Sequence, residues 1–99
     1  LEVTVDLPSS EGVNVTATVS ILYRVVADRA PVLLQTVGPE FETQLVLPVF
    51  RSAAADISAR YAAKDMHSGR RGGIELEIAG RMNDHLEPKG LIVDAVLLK

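Results

Sequence analysis

Two histidines, three serines and a Gly-Arg-Arg-Gly run are the residues whose types could do chemistry in this chain. His67 and His85 stand eighteen residues apart and there is no cysteine, so a zinc site would need carboxylates brought together by folding. Asp84 and Glu87 lie close to His85 in sequence, but adjacent helical positions do not converge on one ion. Both histidines therefore read as surface residues. Ser52, Ser58 and Ser68 lack the Gly-x-Ser-x-Gly elbow that exposes a nucleophile, and Ser68 beside His67 has no third group to orient a base. A helix N-cap is reason enough for Ser68. Glu75 and Glu77 project to different sides of a helix and suit a solvated face better than a paired-carboxylate mechanism. No catalytic residue, metal ligand or cofactor is assigned, and the chain is not expected to be an enzyme.

Gly69-Arg70-Arg71-Gly72 is the sharper signal. KH folds clamp single-stranded nucleic acid with a Gly-x-x-Gly loop between helices, its central residues often basic. Nucleic-acid affinity rests mainly on clustered Lys and Arg. Ten basic residues stand against thirteen acidic ones, a formal charge of −3 with a pI near 5.3. The residues before Gly69 are not the apolar helix a KH fold places there. Single-stranded nucleic-acid binding through this loop stays as the alternative function. The expectation is a joint between helices with exposed arginines, and no nucleic-acid partner.

The elements that would position these residues follow from length and periodicity. A chain of 99 residues is one domain, and 47 % apolar content excludes disorder. Aromatics make up only 4 %, so Val, Leu, Ile and Ala must build the core. No apolar run approaches about 18 residues, so nothing in it is long enough to span a bilayer. Every odd position from Val13 to Val25 is apolar and most even ones are polar, the pattern of a long strand with one buried face. Leu1, Val3, Val5 and Leu7 alternate in the same way. The turn cluster at residues 8–12 joins the two runs into an antiparallel hairpin.

Asp28 suits an N-cap and Pro31 a first turn, for a short helix that stops at Gly38. A second helix starts at Pro39 and runs through Phe41, Leu45, Val49, Phe50, Ala53, Ile57 and Tyr61, with Pro48 kinking or splitting it near Leu47. Asp56–Arg60 and Glu77–Arg81 are spaced as helical ion pairs. Ile74, Ile78, Met82 and Leu86 make an i, i+4 stripe, so the ambiguous stretch from Ile74 reads as helix, ended by Pro88 and Gly90. Leu91 to Leu98 is an apolar strand with apolar residues on both faces. It is either covered on both sides by helices or open to a partner through Leu91, Val93, Val96 and Leu98.

The predicted architecture is α+β: a small, mainly antiparallel sheet in the order β-β-α-α-α-β, strands near 1–7, 13–26 and 91–98, helices packed on one face. The core should hold Val15, Val19, Ile21, Tyr23, Leu33, Leu45, Val49, Ala53, Ile57, Ile78, Met82 and Val93.

Glu11-Gly12-Val13 leading into an alternating strand that ends Tyr23-Arg24-Val25 resembles the middle of a band 7 domain, the module of stomatins, prohibitins and flotillins. Pro48 with Arg51-Ser52, then Asp56-Ile57 and Arg60-Tyr61, resembles the kinked helix that follows. Arg71, Ile74, Glu75, Ile78, Leu86, Gly90, Val93 and Val96 fit the closing helix and strand. Gly72-Gly73 departs from the family, which has charged helix formers there.

The resemblance implies the second part of such a domain, most like bacterial or archaeal stomatin- and prohibitin-like proteins, with residues 1–99 cut from its membrane anchor and C-terminal coiled coil. It further implies a non-catalytic scaffold without cofactor, in a membrane-associated parent of which this piece is soluble. The expected partners are further copies of itself through flanking regions, the membrane through those flanks, and a membrane protease.

Overall fold

The alternation of residues 1–26 closes into a hairpin whose register puts both apolar rows on one face. A computed structural model describes residues 1–66 and 69–98. Strand β1 (Glu2–Pro8) pairs antiparallel with β2 (Asn14–Val25), Leu7 opposite Val15 and Val3 opposite Val19. Strand β3 (Leu91–Leu98) pairs antiparallel with the other side of β2, so the sheet order is β1-β2-β3. The long alternating strand is thus the central one. The molecule measures 42 × 20 × 18 Å.

Between β2 and β3 the chain forms α1 (Ala30–Thr36), a π-helical turn (Glu42–Val46), α2 (Leu47–Ser58) and α3 (Arg71–Leu86). The order β-β-α-α-α-β and the antiparallel sheet are as the periodicity predicts. Pro31 lies in the first turn of α1, where its missing N–H is no loss. Asp28 is not the cap, however. It sits in a 3-10 turn, Ala27–Arg29, and Arg29 precedes the helix. Gly38 has φ +99 and donates to the Leu33 carbonyl, a glycine stop after the helix.

Pro48 splits the second helix near Leu47 as expected, and the π turn is the form the split takes. Leu47 N–H donates to the Glu42 carbonyl five residues back. The wider turn consumes one additional residue, so half-buried Phe41 is followed on the core side by Val46 and Phe50. Leu45 and Val49, predicted for the core, pack only partly against it, and so does Tyr23. The other predicted core residues are buried.

Helix α3 carries the predicted stripe of Ile74, Ile78, Met82 and Leu86, all fully buried. It lies along β3 and beside α2. That arrangement replaces both predicted helical ion pairs with contacts between helices. Arg81 pairs with Asp56 at 3.1 Å, and Tyr61 on the α2–α3 connection donates to Glu77 at 2.7 Å. A cross-helix partner held by packing displaces one that a helix offers itself by spacing alone, because an exposed i, i+4 pair contributes only about 0.3–0.5 kcal/mol.

Candidate interaction surface

Strand β3 carries the residues the sequence singles out for self-association, and its geometry explains why it looks apolar on both faces. Leu22 of β2 faces Ala95, but the next residue, Tyr23, faces Val93, so Asp94 is bulged out of the ladder. The extra residue reverses the alternation. Leu91 and Val93 before it, and Val96 and Leu98 after it, all turn to the helices and are buried. These four side chains belong to the core and offer nothing to a second copy. The bulged Asp94 meets Arg24 at 3.3 Å on the opposite face.

The outer edge of the same strand is also occupied. Asn83 of α3 donates its side-chain amide to the Val93 carbonyl at 3.0 Å and accepts the Val93 N–H at 2.7 Å. Glu75, about two helical turns earlier, accepts the Leu98 N–H at 2.6 Å. An open strand edge templates pairing with another chain, and α3 closes this one with side chains that mimic a neighbouring strand. Glu75 and Glu77 therefore have separate structural partners, Glu75 half-buried against β3 and Glu77 exposed on the solvated side.

What β3 leaves exposed lies on the sheet face turned away from the helices. Leu97 is 42 % exposed and Leu22 50 %, with Ile92 and Ala95 half-buried nearby. Beyond them the face is hydroxylated, Thr4 meeting Thr18 at 3.2 Å and Thr16 donating to Asp6 at 2.7 Å. This apolar end of an otherwise polar face is what the periodicity reading missed. One signal was present: Leu22 is the apolar exception among the polar even positions of β2.

The motif residues of the hairpin hold the sheet to its connections. Glu11 at the tip accepts the Ala63 N–H at 2.9 Å, and Ser10 N–H donates to the Tyr61 carbonyl at 2.8 Å. Gly12, with φ +77, makes the turn that aims them. At the other end the Tyr23 hydroxyl donates to Glu42 of the π turn, and its ring meets Phe41 edge-on with centroids 6.1 Å apart. Burial, then the Glu42 hydrogen bond and charge, raise the Tyr23 phenol above its ordinary range.

The remaining candidates stay apart. Gly72 and Arg71 belong to the first turn of α3, and Arg70 is the residue preceding that helix, so with Gly69 the four do not form a loop between helices. Gly72 has no positive φ, and among the described residues nothing lies within 4 Å of where a Cβ would stand on Gly69 or Gly72. Backbone geometry therefore makes no demand for glycine at position 72. Ser58 is fully buried, its hydroxyl without a partner among the described residues. Ser52 and exposed His85 line one shallow cleft of about 250 Å³ with Asp56 and Arg81. Asp56 there is held by Arg81, and no hydrogen bond joins the serine to the histidine. His67 and Ser68 lie outside the described residues. Among those described, no group of three or more His, Asp or Glu side chains gathers around a common point, and no helix is long and apolar enough to cross a membrane.

Comparison with known proteins adds two findings. No curated protein matches the chain. The family model described as SPFH domain / Band 7 family matches residues 1–99.

Proposed function

The chain belongs to the SPFH domain / Band 7 family, and from that membership we propose that it is a non-catalytic scaffold domain of a membrane-associated, stomatin- or prohibitin-like protein. The match along the whole chain carries the reading, and the hairpin residues that resemble the family support it by having structural work to do. Glu11 and Tyr23 tie the two ends of β2 to the helical side, which suits a rigid block. Such a block acts by geometry. Many copies are collected on a membrane, each domain contact is weak, and effective concentration sums the contacts into an assembly that organises or restrains membrane partners, a membrane protease among them. The apolar end of the outer sheet face, around Leu22 and Leu97, is the surface on which such weak contacts would fall.

Chemical cross-linking of the intact protein in its native membrane tests this. A ladder of self-adducts that disappears when this domain is deleted is the expected result. A membrane-bound protein that yields only uncross-linked monomer would overturn it.

A further inference from the structure

The two edges of the sheet are treated differently. The β3 edge is met by Asn83 and Glu75, whereas on the β1 edge nothing among the described residues meets the outward main-chain groups of Thr4 and Asp6. Leu1 and Ile21 exchange both main-chain hydrogen bonds, at 3.2 and 2.7 Å. By the alternation of an antiparallel ladder, Val3, Val5 and Leu7 also bond inward to β2, and the N–H and C=O groups of Thr4 and Asp6 point away from the sheet. Among the described residues no hydrogen bond reaches those groups. Along this edge runs a groove of about 400 Å³ between β1 and α2, with Val5, Leu7, Phe50 and Ala54 as its apolar floor and Arg51 on its rim.

We propose that the groove between β1 and α2 is a strand-addition site for an extended peptide segment carrying basic residues four positions apart on one face and apolar residues between them on the other. A strand laid beside β1 completes the main-chain bonds of Thr4 and Asp6. Its alternate side chains fall over Phe50 and Ala54, where small or medium apolar groups fit and where Arg51 repels a base. The other side chains lie on the outer face, level with Glu2, Thr4 and Asp6. Glu2 and Asp6 are four residues apart and β1 has no Lys or Arg, so the matching positions favour Lys or Arg. The same acids oppose pairing with a second copy, since an antiparallel pairing centred on Thr4 sets Glu2 against the Asp6 of that copy. The site does not depend on the scaffold reading, which stands or falls by the membrane cross-linking above.

The test uses an acetylated, amidated peptide Thr-Lys-Val-Thr-Val-Lys-Thr and its twin with Glu in place of both Lys. The readouts are binding to the isotope-labelled chain and amide hydrogen exchange. Saturable binding of the Lys peptide is expected, at least tenfold tighter than the Glu twin, with slowed exchange at Thr4 and Asp6. Thr4→Pro removes one outward N–H at an edge position that tolerates proline, and should weaken binding at least tenfold. The charge reversal Glu2→Lys with Asp6→Lys keeps every main-chain group and should invert the preference between the peptides, which settles the matter even where the proline variant does not fold. Equal binding of both peptides, protection confined to β3, no saturation at millimolar peptide, or a preference unchanged by the reversal would each overturn the proposal.

Discussion

Asn83 holds both main-chain groups of Val93, taking its N–H at 2.7 Å and giving to its carbonyl at 3.0 Å, and so stands in for a fourth strand. The contact is made next to the bulge at Asp94. Asn83→Ala should lower stability by about 1–3 kcal/mol, since it removes two hydrogen bonds and strands half-buried main-chain groups. The same variant should self-associate in light scattering at concentrations where the parent does not, because the β3 edge is reopened. Urea unfolding together with scattering checks both.

Ile21 and Leu22 are neighbours on opposite faces of β2, one fully buried and the other half exposed. Ile21→Asp should abolish folding, because a carboxylate would be buried without a partner. Leu22→Asp should leave the thermal transition within a few degrees of the parent. A cooperative transition in the first variant would refute the orientation of the central strand.

Gly90 has φ +91, and a Cβ there would overlap the side chain of Arg29, whose guanidinium donates to the Pro88 carbonyl. Gly90→Ala should therefore cost about 1–3 kcal/mol through the backbone alone, before the overlap is relieved. Gly80, exposed in the middle of α3 with nothing near its would-be Cβ, is the opposite case. Gly80→Ala should stabilise by roughly 0.5–1 kcal/mol. Calorimetry of the two variants should show transitions displaced to opposite sides of the parent.

The Tyr23 phenol is raised by burial and by Glu42, and the Tyr61 phenol is raised chiefly by its hydrogen bond to Glu77. A raised pKa means the folded chain holds the proton more tightly than the unfolded one. The resulting stability is fully present below about pH 10, where an unfolded tyrosine titrates, and is lost as pH rises through the folded value. Unfolding free energy should fall as pH rises above about 10. The fall should be smaller in Tyr23→Phe and smaller again when Tyr61→Phe is added. An identical pH profile in the double variant would show that these phenols do not carry the dependence.

Much of this architecture is legible in the residues themselves. The hairpin follows from the alternation of Leu1 to Leu7 and of Val13 to Val25 on either side of a turn cluster, because strand side chains have a period of two whatever surrounds them. The stripe of Ile74, Ile78, Met82 and Leu86 identifies α3 for the same reason, at a helical period. Family membership is legible too, through Glu11-Gly12-Val13 and Tyr23-Arg24-Val25 in order along the chain.

What the tertiary structure decided is phase and partnership. A one-residue bulge at Asp94 gathers Leu91, Val93, Val96 and Leu98 onto one face, and a π turn before Pro48 brings Val46 and Phe50 to the core in place of Leu45 and Val49. Locally, a ladder with or without an inserted residue differs little in energy, so the burial of whole faces against one another makes the choice. Asn83 reaching Val93, Arg81 reaching Asp56 and the groove between β1 and Phe50 are likewise products of packing. They join residues whose spacing in sequence carries no signal, because only the folded chain sets the distance between a helix side chain and a strand edge.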